Sequence, residues 1–335
     1  VLQTALAEAH PATEPEEITP LHRVLGDVAA KAGDPATAVR ALSEAAVRLD
    51  RQGEVMEAVQ ARWRMSTALM AQGSVADGVA VLETLVEVAA ADEAATEGSA
   101  GSPYALQLAT QIRVDLAHGL LSLGEPRAAA VEYLRVADAV SSWPDQSRLT
   151  FAAAKAALAL GRSDNWDGAR AALERAIASN VSAPCVPELN DALRDLAGAA
   201  LSARGADAVD EALGYLAQAD RLRAEFPDSA REQFISVDFD EAQCACVRGR
   251  VLLGVERGEE ALAEFERAIA LYDGAGHQAT TERFEVIRMA ALAELHVLDR
   301  TAAAQGRLDA AIAEADAVGH ADAASILRRL RAGRR

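Results

Sequence analysis

Small and large apolar residues recur along this chain in a fixed order. Gly26 is followed by Ala38, Leu42 and Ala45, and Gly249 by Ala261, Phe265 and Ala268. In both runs alanine comes twelve residues after the glycine, a large apolar residue sixteen after, and alanine again nineteen after. Ala157, Ala169, Leu173 and Ala176 keep the same offsets, as do Ala117, Ala129 and Tyr133, with Val136 in the last place. Ser66, Gly78, Leu82 and Leu85 form a looser copy. Ala197 stands three residues further than usual from Ala212, Leu216 and Ala219, and Leu292, Ala304, Leu308 and Ala311 match least well. Period-two runs of β-branched and aromatic residues are almost absent; Ile235 to Phe239 is the one strand-like alternation, and its context favours helix. The pattern predicts antiparallel helix pairs, because two helices approach closely only where facing side chains are small, and the large residue then fills the space under the next pair.

This small, large, small spacing resembles the tetratricopeptide repeat. The resemblance implies an all-α fold: a right-handed α-solenoid, or α-α superhelix, of about seven helical hairpins stacked in one array across residues 1–335. The approximate units are 18–51, 54–92, 103–142, 145–180, 187–226, 228–274 and 278–318, with a C-terminal capping helix at 321–332. Their first-helix small positions fall 40 to 52 residues apart, against about 34 in the standard repeat. The chain therefore reads as a divergent, long-helix variant, and the Trp, Tyr and closing Pro of the family are mostly missing.

Turn chemistry agrees with the pairs. Gly33-Asp34-Pro35, Gly73-Ser74, Gly124-Glu125-Pro126 and Asp164-Asn165 stand where a first helix must stop and a second begin. Ala91 to Pro103 is small, polar and glycine-bearing, and reads as a surface loop open to proteolysis. Val181 to Pro187 is expected to be irregular because of its two prolines. Asp228 to Glu256 leaves room for an extended or broken first helix.

Composition narrows the function. Half the residues, 51%, are hydrophobic, ample for a core. The formal net charge of −18 repels phosphate backbones, so the array is not expected to bind nucleic acid directly, and a partner of basic character is favoured. The five arginines Arg328, Arg329, Arg331, Arg334 and Arg335 read as the solvated, dipole-matched end of a last helix. Cys185, Cys244 and Cys246 lack disulfide or zinc spacing, which suits a reducing cytoplasm, and no signal peptide or membrane-inserting run is seen. A start at Val1 suggests a piece of something longer.

Catalytic signatures are missing: no phosphate loop, dinucleotide fingerprint, zincin motif or nucleophile elbow occurs, and the six histidines are scattered. No cofactor, metal or catalytic residue is expected, and the chain is read as a non-enzyme. Cys244 and Cys246, two apart on a helix, point in opposed directions and read as buried small hydrophobes. Trp143 and Trp166 lie beside turns, as core caps.

The leading functional expectation is a scaffold that binds a protein or peptide. A regulatory or effector-sensing segment of a larger bacterial signalling or transcription protein is the alternative, since similar long-helix arrays resemble such regions; an enzyme with an unrecognised site comes third. The resemblance implies that first helices line a concave binding face. Residues three before and one after each first-helix small position share one stripe there: Arg23 with Asp27, Trp63 with Thr67, Val114 with His118, Arg194 with Gly198, and Cys246 with Arg250. Arg23, Asp27, Trp63, Arg64 and Thr67 replace the Lys and Asn that grip a C-terminal carboxylate in one well-known subfamily, which argues against that role. Trp63 has two readings, a hot spot for a partner or a filler between repeats.

Overall fold

A computed structural model of the chain describes residues 15–95, 103–179, 185–226, 237–274, 276 and 280–333. Helices joined by short turns make up the described residues, with no strand among them. The chain divides into two compact units, Val1–Pro144 and Asp145–Arg335.

In the first unit the described helices are α1 (Pro15–Lys31), α2 (Pro35–Gln52), α3 (Val55–Ala71), α4 (Val75–Ala95), α5 (Pro103–Ser122) and α6 (Pro126–Ala139). Each odd-numbered helix pairs with the even one that follows it. The first turn shows why. Gly33 takes φ 75°, a left-handed conformation that glycine adopts without a Cβ clash, and Asp34 N–H returns to Ala29 O at 2.9 Å. Asp34 then caps α2, its Oδ1 accepting from Thr37 N–H at 3.1 Å, and Pro35 supplies the fixed φ of the first helical position.

The small, large, small pattern is the packing code. Ala38, Leu42 and Ala45 are all buried, and a Cβ built on Gly26 would lie 2.5 Å from Leu42 Cγ. Gly26 is therefore small because α2 drives a leucine into its backbone. Ser66, Leu82 and Leu85 are buried in the second hairpin, and Ala117, Ala129, Tyr133 and Val136 in the third.

The second unit contains α7 (Ser147–Arg162), α8 (Trp166–Ser179), α9 (Val186–Arg204), α10 (Val209–Glu225), α11 (Val237–Leu253), α12 (Gly258–Gly274), α13 (Thr281–His296), α14 (Thr301–Ala317) and α15 (Ala321–Arg331). The same code recurs: a Cβ on Gly249 would lie 2.6 Å from Phe265 Cε1, and Ala261, Phe265 and Ala268 are fully buried. A short 3-10 turn, Gly205–Ala208, sits between α9 and α10 and absorbs the extra residues between Ala197 and Ala212. In α13 the small residue clustered with Ala304, Leu308 and Ala311 is Ala291, whereas Leu292 is half-buried, which explains the weak match of that repeat.

Some expectations change or fall outside the described residues. Helix α4 continues through Ala95, because Ala91 to Ala95 carries no breaker, so only 96–102 of the expected loop lies beyond it, outside the described residues. Val186 and Pro187 open α9 instead of interrupting the chain, since proline is tolerated in a first helical turn; 181–184 are outside the description. Val237 to Phe239 are helical, while 228–236 are likewise not described. At the other end, Arg328 and Arg331 pair with Asp316 and Asp309 of α14, and Arg334 and Arg335 are outside the described residues.

Candidate functional site

In the first unit, α1, α3 and α5 are successive first helices, and the expected stripe forms a seam between them. Arg23 Nη2 donates to Gln60 Oε1 at 3.2 Å, and Arg64 pairs with Asp27. Both contacts cross from α1 to α3. Trp63 is half-buried, and its indole Nε1 donates to Asp115 Oδ2 of α5 at 2.6 Å. Gln111 Nε2 donates to the other oxygen of the same carboxylate at 3.4 Å. Thr67 Oγ1 donates back to the Arg64 carbonyl at 2.7 Å. Val114 is half-buried, and His118 is exposed, with its ring edge-on to Tyr133 at 5.7 Å and 74°.

Asp27 and Thr67 thus both contact Arg64, while Arg23 and Trp63 are tied to neighbouring helices through Gln60 and Asp115, the latter also held by Gln111, none of which the periodicity selected. No volume pattern marks them, because a polar residue on a first helix looks the same in sequence whether it faces water or the next hairpin. Trp63 holds both of its expected roles open in geometric terms. One edge of the indole is tied to α5, and part of its surface is free to meet a partner.

In the second unit the stripe residues diverge. Gly198 leaves open space around its Cα, and Arg250 is exposed. Cys246 packs partly against the core, and burial pushes its thiol up to about 11. Arg194 enters a buried charge cluster. Asp240, at the start of α11 and 8% exposed, accepts from Arg223 Nη1 at 2.9 Å and Asn190 Nδ2 at 3.1 Å, with Arg194 Nη1 at 3.5 Å. Arg194 also pairs with Asp191 at 2.7 Å, and Arg223 pairs with Asp220. Burial opposes the charge of Arg194, yet the carboxylates around it, Asp191 first, leave its pKa raised. Arg223 further donates to Cys244 Sγ at 3.2 Å; burial pushes that thiol up despite the neighbouring cation.

Cys185 and Cys244 are buried, and all three cysteines are free thiols. Burial raises Cys185 to about 12. Among the described residues no group of three or more His, Cys, Asp or Glu is placed to hold a metal ion, and no helix is long and apolar enough to cross a membrane.

Comparison with known proteins agrees with this architecture. Residues 23–96 match the family model described as tetratricopeptide repeat. The sequence finds no match among curated proteins. Among solved structures, BtubC (BKLC) from P. vanneervenii superimposes with a TM-score of 0.51 at 17% identity, covering 71% of this chain and 92% of that one. The apo form of RapI gives 0.51 at 12% identity, covering 84% of this chain and 99% of that one. At such identities the likeness concerns the fold. The repeat match over residues 23–96 and the hairpin code that both units carry make this an all-α array of tetratricopeptide-like helical hairpins.

Proposed function

We propose that the chain is a binding scaffold for a protein or peptide of basic character, and that the first helices α1, α3 and α5 present one contact surface. The observation that carries the reading is the half-exposed polar and aromatic seam from Arg23 and Asp27 through Trp63 and Thr67 to Val114 and His118. It combines a rigidly held indole, cations and carboxylates, the composition of a recognition surface. Arg194 and Arg250 belong to the second unit, where Arg250 is the solvent-facing member of the proposed contact set. The net charge of −18 supports a cationic partner and disfavours nucleic acid. A reducing, cytoplasmic setting fits three unpaired thiols.

The test is affinity capture by the whole chain, followed by titration of the purified captured protein against variants of the surface. Trp63→Ala is expected to weaken binding by about 2 kcal/mol or more, and His118→Glu to weaken it less, with circular dichroism preserved in both. Binding is expected to fall as salt rises. Undiminished affinity in both well-folded variants would remove this surface from the site.

A further inference from the structure

First helices in the second unit meet along a seam that is closed at three junctions. Between α7 and α9, a Cβ on Gly161 would lie 2.7 Å from Leu196 Cδ2, and Ala154 and Leu158 are buried. The Asp240 cluster closes α9 against α11. Val286, fully buried in one core cluster with Ala242 and Ala245, closes α11 against α13. At the last junction, between α13 and α15, the seam opens into a groove of about 130 Å³. That is well beyond the ~10–15 Å³ a single water occupies, and suits one aliphatic side chain.

The groove has an apolar floor and a polar rim. Phe284, Ala323 and Leu327 are buried beneath it, while Ile326, 40% exposed, forms a wall that no described residue covers. Along the rim, Glu285 is engaged by Arg288 through Nε and Nη2 at 2.7 and 2.5 Å, and His320 Nε2 lies 3.1 Å from Thr281 Oγ1 with its ring edge-on to Phe284. Asp322 stands exposed at the rim in the first turn of α15. Two of the three arginines of that helix, Arg328 and Arg331, pair with Asp316 and Asp309 of α14. Arg288 is spent on Glu285, which leaves Asp322 as the uncompensated charge among the residues that line the groove. A second copy of this chain, at −18, is a poor match for it.

We propose that this groove takes a leucine or isoleucine side chain from a peptide segment of another protein, with an adjacent arginine or lysine reaching the Asp322 carboxylate. The proposal rests on the scaffold reading and adds a sequence preference to it: aliphatic, then basic. Burying the aliphatic side chain against Phe284, Leu327 and Ile326 supplies affinity, and Asp322 supplies direction.

The probe is the peptide acetyl-Gly-Leu-Arg-Gly-amide, titrated into the full chain labelled with ¹³C at Ile, Leu and Ala methyls. Saturable shifts at Ile326, Leu327 and Ala323 are expected. Peptides with Ala in place of Leu, or Glu in place of Arg, are expected to bind at least about fivefold more weakly. Ile326→Ser and Asp322→Asn, both at exposed positions, should each produce a loss of similar size with unchanged helicity. Absence of saturable shifts at the groove, equal binding of the three peptides, or indifference to both substitutions would overturn the proposal. Binding of a captured partner that responds to Trp63→Ala while the groove methyls stay still would sink the groove alone and leave the scaffold reading standing. A groove that saturates while the captured partner ignores Trp63→Ala would remove the first-unit surface and leave the groove standing.

Discussion

The two units join neighbouring first helices by different means. In Val1–Pro144 the links are single polar contacts at half-exposed positions: Arg23 to Gln60, Asp27 to Arg64, Trp63 to Asp115. In Asp145–Arg335 one link is a buried cluster in which two arginines and an asparagine converge on Asp240. The hairpins themselves are locked alike in both, by a large side chain from the second helix against a small residue of the first, glycine, alanine or, at Ser66, serine. What varies is the junction between hairpins, and the physics of that junction differs sharply. A half-exposed pair exchanges one set of hydrogen bonds for water and costs little to break. A largely buried cluster has already lost most of its water, so removing one member leaves the others short of a partner that solvent replaces poorly.

The sharpest way to break this comparison is Asp240→Ala, which takes from the largely buried Arg194 and Arg223 the carboxylate they share and leaves them to carboxylates such as Asp191 and Asp220, both more exposed. A loss of about 3–5 kcal/mol is expected in denaturant unfolding; a cost under about 1 kcal/mol would show the cluster to be as solvated as the first unit's pairs. Next comes the lock common to both units. Ala261→Leu and Ala38→Leu should each cost about 1–3 kcal/mol by overpacking, with Glu260→Gln, on the exposed face of the same helix, near zero. Unequal effects at Ala38 and Ala261 would mean that the units do not share one packing code. Smaller still, Asp115→Ala removes the acceptor of the Trp63 indole and should cost about 0.5–1.5 kcal/mol, with a red shift of Trp63 emission marking its release. Smallest is Asp27→Asn, expected at about 0–1 kcal/mol and vanishing in high salt.

The lock was legible in sequence and the junctions were not, for a physical reason. Close packing of two helices constrains side-chain volume at fixed spacing, and volume is written directly in residue identity: Gly26 against Leu42, Gly249 against Phe265. Even the departures read correctly, since the three additional residues before Ala212 accompany the 3-10 turn at Gly205–Ala208. Junction residues carry no such mark. Asn190 and Asp240 lie 50 positions apart, and each alone resembles a solvated residue on a helix. Arg194 was selected by its place on the first-helix stripe, yet its carboxylate partner on α11 has no period that connects the two. The groove beside Ile326 was invisible for the converse reason: an opening between helices is a matter of their spacing, which composition does not encode.

All three cysteines lie in the second unit, and none lies in the first. Two of them are sealed away, Cys185 behind its bond to the Ser147 carbonyl and Cys244 beneath Arg223, with thiols that burial holds in the unreactive protonated form. A thiol reagent in solution therefore reacts with them only when their surroundings come apart. The chain thus carries two clocks of its own: the labelling rates of Cys185 and Cys244 count openings around the start of α9 and around α11, without any engineered probe, and stay blind to every opening of the first unit.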